Sequence, residues 1–158
     1  MKTLLKTILV GAVLAMASVA VAAGAADPVV GTWTLNVAKS KMDAVAALKS
    51  QTRTYTQGDD GISVTVSGVR ADGSAVSQQS TFKYDNKAYP WSGAADSDAI
   101  SLRRVNGSTV EAVLLKSGKK VGRSTRTISG HGKVMTLSTK AVGTDGKPHT
   151  TVLVFDKQ

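Results

Sequence analysis

Apolar and polar residues alternate with a period of two along much of the chain beyond residue 50. The clearest case is the run of Ile62, Val64 and Val66, whose intervening positions carry Ser and Thr. Such alternation is typical of a β-strand with one buried and one solvated face. Runs of this kind, rich in Val, Thr, Ile and Leu, predict strands over 31–36, 52–57, 62–67, 75–84, 88–91, 100–105, 110–115, 120–129, 134–142 and 150–155.

Turn signals separate these runs at close intervals. They are Asp60-Gly61, Asp72-Gly73, Asn106-Gly107, Ser117-Gly118, Gly130-His131-Gly132 and Asp145-Gly146. Asn-Gly and Asp-Gly suit tight hairpins because both central residues of a type I′ turn have positive φ. Regular spacing of such turns is typical of an antiparallel sandwich or barrel. We therefore expect an all-β fold, an antiparallel up-and-down β-barrel of about eight to ten strands.

One short helix is expected after the first strand, over residues 41–49. Ser40 can cap its N-terminus, and Met42, Val45 and Leu48 recur at a spacing of three. Alanines fill the intervening turn and are good helix formers. We expect this helix to lie against the sheet.

The first 25 residues have the layout of a secretory signal peptide. Lys2 and Lys6 give a positive start, the stretch from Ile8 to Val21 is apolar, and small residues follow at cleavage spacing. An uncleaved membrane anchor is the alternative, but the apolar stretch is shorter than the ~20 residues of a spanning helix. We therefore expect a signal peptide over 1–25 and one domain over 26–158, periplasmic or secreted, with no transmembrane segment after processing. The chain has no cysteine, so its core must stabilise it without disulfides.

The opening of the predicted domain resembles the calycin superfamily, which includes lipocalins and fatty-acid-binding proteins. Gly31-x-Trp33 lies on the first strand, followed by a predicted helix and a meander of strands. More narrowly, the stretch from Trp33 to Lys41 reads W-T-L-N-V-A-K-S-K. It is similar to the W-x-L-N-x-x-K-S-K opening of bacterial secreted lipocalin-like domains. The general pattern covers essentially the whole mature chain, and the opening motif is its specific part.

The resemblance implies a structural role for Trp33. In lipocalins the Trp of this motif plugs the closed end of the barrel beneath a basic residue from the last strands. That role would fall to Trp33 here, with Lys157 or Arg126 as its basic partner. The final strand lacks the Arg-x-Tyr pair of fatty-acid-binding proteins, and the Thr-Asp-Tyr motif of lipocalins is also missing. The resemblance therefore implies a fold and leaves the ligand open.

The chain is basic, with a formal net charge of +9, to which Lys2 and Lys6 contribute two charges. A basic exported protein is attracted weakly to anionic envelope surfaces, although the charges can also serve solvation alone. The lysines are scattered, and aromatic residues make up 4% of the chain. A single-strand-binding groove needs aromatic stacking platforms, so we do not expect nucleic acid as a partner.

The residue inventory argues against an enzyme. The two histidines, His131 and His149, both stand beside turn residues, and Asp145 near His149 is a commonplace surface arrangement. No G-x-S-x-G, H-E-x-x-H or phosphate-cradling glycine loop occurs in the sequence. We expect no catalytic residue, no metal site and no cofactor.

Arginines within strand runs are the stronger candidates for binding. Arg104 shares its predicted face with Ile100 and Leu102, and a guanidinium on a cavity wall would meet an anionic head group. The predicted ligand-binding residues are Arg104, Tyr84, Leu102 and Arg126, and an apolar ligand tail would lie against aliphatic side chains. An outward-facing arginine that only solubilises the sheet is the alternative.

The architecture favours a carrier of a small, apolar or amphipathic ligand held in a barrel cavity, by analogy of fold. The alternative is a surface-binding or inhibitor module of the cell envelope whose core is filled by side chains. A cavity connected to solvent would favour the carrier, and a packed interior would favour the surface module.

Export predicts a defined mature N-terminus. Because the small residues end the apolar stretch, the exported protein should begin between Ala23 and Asp27. N-terminal sequencing of the exported fraction measures this directly, and an intact Met1 there would contradict the prediction.

Overall fold

The computed structural model describes residues 26–44 and 46–158. The predicted signal peptide, 1–25, lies outside the described residues. Of the predicted range for the mature N-terminus, only Ala26 and Asp27 are described. Within the described residues the chain forms ten β-strands: β1 Gly31–Leu35, β2 Leu48–Gly58, β3 Gly61–Arg70, β4 Ala75–Phe82, β5 Asp85–Pro90, β6 Ala99–Arg104, β7 Thr109–Lys116, β8 Lys119–Ser129, β9 Val134–Val142 and β10 Pro148–Lys157.

The strands form one antiparallel sheet in the order β4-β3-β2-β1-β10-β9-β8-β7-β6-β5. Its two edges, β4 and β5, meet through a bridge in which Gln79 and Ser92 exchange backbone hydrogen bonds of 3.0 and 3.1 Å. The Ser80 hydroxyl also donates to the Pro90 carbonyl at 2.7 Å. The sheet is therefore a nearly closed barrel, which confirms the predicted all-β class and is consistent with a calycin-like fold.

The predicted helix over 41–49 is wrong. A single 3-10 turn, Val37–Lys39, follows β1, and the Asn36 side chain caps it by accepting from the Lys39 amide at 3.1 Å. Lys41 then exchanges backbone hydrogen bonds of 2.7 and 2.8 Å with Val152 of β10, and β2 already begins at Leu48. Pairing with the sheet outweighs helix propensity because a helix this short is marginal by itself.

A turn signal from the sequence has the expected conformation between β7 and β8. Ser117 and Gly118 have φ values of 50° and 75°. Both central residues of this two-residue connection therefore have the positive φ that a type I′ turn requires. Such a turn matches the right-handed twist of the strands that it joins.

The ends of the barrel differ. The end that carries the 26–30 segment and the β2–β3 and β8–β9 turns is termed the closed end. The other end carries the β1–β2 connection, the β5–β6 loop and the β9–β10 turn, and is termed the open end. At the closed end Trp33 is fully buried beside Phe155 and Met135. Its indole Nε1 donates to the Val29 carbonyl at 2.7 Å.

Replacing Trp33 should destabilise the fold strongly. Trp33→Ala removes a fully buried indole and its hydrogen bond, so we expect a loss of about 3–5 kcal/mol in the free energy of unfolding. Trp33→Phe, which keeps most of the apolar volume, should lose less. Denaturant unfolding of the three proteins measures the difference. An unchanged midpoint for Trp33→Ala would contradict the prediction.

Candidate functional site

The barrel encloses a cavity of about 180 Å³. Most of its lining residues are apolar: the aromatic Tyr55, Phe82 and Trp91, and aliphatic residues that include Val64, Ile100, Leu102, Val110, Leu114, Leu137 and Leu153. Polar side chains interrupt this wall: Arg53, Gln78, Asp96, Ser97, Ser124, Arg126 and Thr139. The cavity therefore combines an apolar lining with a few charged and hydrogen-bonding groups, which is the usual make-up of a small-molecule site.

Arg126 is the buried charge of the cavity wall. It pairs with Val110 and Leu137 on neighbouring strands, so the alternation of the sheet points it inward, and it is 7% exposed. Its Nη2 donates to the Tyr84 hydroxyl at 2.6 Å, and its guanidinium carbon lies 5.5 Å from the Tyr55 ring centroid. Tyr84 takes one of the five N–H donors of the guanidinium.

The guanidinium of Arg126 keeps its charge. Burial by itself lowers its pKa, but Tyr55, Tyr84 and Asp27 raise the pKa above the ordinary arginine value. None of the ion pairs among the described residues includes Arg126. The cavity thus has a buried cation that contacts a phenol and aromatic faces and has no carboxylate partner among the described ion pairs.

Tyr84 connects the cavity to a second group of charges at the closed end. Its ring lies 4.2 Å from the Arg104 guanidinium carbon, and Arg104 forms an ion pair with Asp27. Burial by itself raises the pKa of Asp27. Hydrogen bonds from the Val29 amide and Tyr84, together with Arg104, lower the pKa by more than burial raises it, so that it lies below the usual aspartate value. This network attaches the N-terminal segment to the barrel.

The structure separates the predicted binding residues into two places. Leu102 and Arg126 line the cavity, whereas Arg104 and Tyr84 lie together in a depression at the closed end. Arg104 faces inward in register with Val110, as its alternation with Leu102 predicts. It is the last residue of β6, however, so its side chain reaches past the cavity toward the 26–30 segment.

Two basic residues were possible partners for Trp33. The Lys157 Nζ lies 5.1 Å from the centroid of the Trp33 ring, because the two residues are directly opposite each other in the β1–β10 ladder. Arg126 instead lies over Tyr55 and Tyr84. The geometry therefore gives Trp33 a lysine cover of the cation–π type.

Arg53 is a charged residue of the cavity wall that is not among the four predicted ligand-binding residues. This residue lines the cavity, donates from Nε to the Gln51 side chain at 2.9 Å, and lies 5.5 Å from the Phe155 ring centroid. Gln51, Arg53 and Tyr55 alternate along β2 and share the inner face. That alternation, next to the strand that carries Trp33, is the signal that could have identified Arg53.

A histidine joins two segments at the open end. The Nδ1 of His149 lies 2.7 Å from the Asp43 carboxylate, and its Nε2 lies 2.8 Å from the Asp145 carboxylate. These hydrogen bonds, first that of Asp145 and then that of Asp43, raise the pKa of His149. The sequence indicated the neighbouring Asp145, whereas Asp43 is 106 residues away and only folding brings it there.

The cavity adjoins a depression at the open end of the barrel. A polar depression of about 250 Å³ contains His149 in its wall and shares Gln78, Asp96 and Thr139 with the cavity. The cavity wall therefore extends to the outside at this end. The histidine cluster lies beside that opening, where it ties the β9–β10 turn to the β1–β2 connection.

Across residues 26–44 and 46–158, no group of three or more His, Cys, Asp or Glu side chains could hold a metal ion. The same residues include no helix with the length and apolar character needed to cross a membrane.

Comparison with known proteins gives no family assignment, because no protein-family model and no curated protein matches this chain.

The histidine cluster predicts a pH-dependent stability. Because the folded protein holds the His149 proton more tightly, this stabilisation is complete below the unfolded pKa of about 6.5 and is lost as pH rises through the higher folded value. His149→Gln, which has no titrating imidazole at this position, should not lose stability in this way as pH rises. Thermal unfolding midpoints measured from about pH 6 to pH 9 test it. His131→Gln is the matched control and should keep the wild-type dependence; parallel curves for wild type and His149→Gln would contradict the prediction.

Proposed function

We propose that the protein is an exported lipocalin-like carrier that binds a small, largely apolar molecule with an anionic group in its barrel cavity. The observation that carries this proposal is the buried charge of Arg126 in a mainly apolar wall. A charge inside a protein is costly unless it is paired, and a ligand carboxylate would provide that pairing.

The size of the cavity limits the ligand. About 180 Å³ is close to the roughly 150 Å³ of an apolar cavity that accepts benzene, and below the roughly 300 Å³ at which drug-sized pockets begin. A single ring or a short acyl chain fits this volume. A fully enclosed long-chain fatty acid does not.

The charges favour an acid over a neutral ligand. Arg53 and Arg126 both border the cavity, while Asp96 is its one acidic lining residue and belongs to the β5–β6 loop. An acidic group would therefore lie toward the arginines, with its apolar part against Leu102, Val110 and Leu137. Arg104 is less suited to this role because Asp27 already engages it.

The lipocalin-like part of the proposal has separate support. The Gly31-x-Trp33 opening, the predicted signal peptide and the antiparallel barrel agree with one another, and Lys157 lies over the indole. A surface-binding or inhibitor module with a filled core remains the alternative. The cavity is the observation that favours the carrier.

The test is the affinity for small acids and for their neutral esters. We expect benzoate or hexanoate to bind more tightly than the methyl ester of each. Arg126→Met should weaken binding of the acids by about ten- to a hundred-fold, because a hydrogen bond to a charged group is worth about 1.5–3 kcal/mol. Binding of the esters should change little. Isothermal titration calorimetry measures all of these affinities.

The controls separate a lost contact from a lost fold. Arg103→Met removes an equal charge from the exposed outer face of the barrel, away from the Arg126–Tyr84 contact, and should leave the affinity for acids near wild type. Arg126→Lys should restore part of it. Equal affinities for acids and esters in all variants would contradict the proposal. A second result would also contradict it: the protein binds none of these probes, and native mass spectrometry of the protein from its own host detects no co-purified small molecule.

A further inference from the structure

The outer face of the barrel has a cluster of cations on β8 and β9. Arg123 and Lys140 are directly opposite each other in the ladder, and both are exposed. Together with Lys120 they line one shallow depression of about 460 Å³, whose remaining polar wall is formed by the hydroxyls of Thr125 and Ser138. This set of five residues is termed the β8–β9 basic face.

The arrangement of charge on this face is unfavourable to the folded protein by itself. Like charges directly opposite each other on neighbouring strands destabilise a sheet. On the neighbouring strands β6 and β7, the same outer surface has opposite charges across the ladder, because Arg103 donates to Glu111 at 2.5 Å. The Arg123–Lys140 pair therefore departs from the local pattern, and an anion over this face would relieve the repulsion.

The structure supplies no such anion from its own acidic side chains. Of the ion pairs formed within residues 26–44 and 46–158, none includes Lys120, Arg123 or Lys140. Glu111, the acid on the adjoining strand, is already paired. Two further exposed lysines, Lys119 and Lys116, extend the positive charge along the β7–β8 turn toward the open end.

We propose that the β8–β9 basic face docks the protein on a bilayer that contains anionic phospholipids. The shape of the face favours headgroups at a surface over a single enclosed anion, because its three cations are all exposed on an open wall. Their charges act together on such a surface, because each cation near an anionic bilayer adds its own attraction. Half-buried Val121 lies between the cations and offers a small apolar contact.

The position of the face gives the docking an orientation. The β7–β8 turn belongs to the open end of the barrel, so attraction through Lys116, Lys119 and Lys120 brings that end toward the bilayer. The cavity would then open close to the membrane surface. Docking itself does not depend on ligand binding, so the two proposals can fail separately.

The experiment is co-sedimentation of the mature protein with large unilamellar vesicles. Vesicles of phosphatidylcholine with phosphatidylglycerol should bind the protein, phosphatidylcholine alone should not, and added salt should release it. Arg123→Glu should lower the apparent partition coefficient about tenfold or more, because it removes a cation and adds an anion. It also places opposite charges across the ladder, so its thermal unfolding midpoint should not fall.

The matched control is Lys133→Glu, which changes the net charge equally at the β8–β9 turn of the closed end. It should keep most of the binding. Equal losses for Arg123→Glu and Lys133→Glu would show a net-charge effect and overturn the proposal. So would binding to vesicles that is independent of phosphatidylglycerol. Binding of inorganic phosphate or of an oligonucleotide without binding to anionic vesicles would overturn it too.

Discussion

The pairing of β1 with β10 holds the barrel together. It joins the meander of β1–β4 to the meander of β5–β10, whose outer edges meet only through the Gln79–Ser92 bridge among the described backbone pairs. The same pairing sets Lys157 beside Trp33. Because this contact links the two ends of the domain in sequence, the barrel can close only after long-range pairing has formed.

The closed end and the cavity share one chain of interactions. Arg126 faces the cavity, Tyr84 accepts its hydrogen bond, and Tyr84 and Arg104 both engage Asp27. Tyr84 therefore links the Arg126 guanidinium to the groups that anchor the N-terminal segment. Burying this arginine costs free energy that a purely structural wall would not require. That cost is the physical basis of the proposed binding site.

Charges on the two surfaces of the sheet are arranged differently. Inside, Arg126 is surrounded by aromatic rings and aliphatic side chains. Outside, Arg103 and Glu111 pair across the ladder, whereas Arg123 and Lys140 oppose each other. Cations without an ion pair among the described residues thus lie on both surfaces of β8. They are the basis of the two proposed anionic partners, a small acid within the barrel and a headgroup surface outside it.

The sequence by itself determined the all-β class, most strand positions and the turns. Period-two alternation and glycine turn signals are local, and a strand such as that carrying Ile62, Val64 and Val66 expresses them directly. The short helix after β1 failed because Lys41 pairs with Val152, a contact that no local propensity encodes. The sequence also indicated that Arg104 faces inward.

Only the tertiary structure decided which inward arginine reaches the cavity. The alternation of a strand determines whether a side chain points into or out of the barrel. Its position along the barrel axis depends on the strand register and on where the strand ends. Arg104 ends β6 and meets Asp27, whereas Arg126 lies within β8 at the cavity wall. The contacts of Asp43 with His149 and of Lys157 with Trp33 likewise join distant segments. Such long-range contacts, which fix the site, arise from the closure of the sheet.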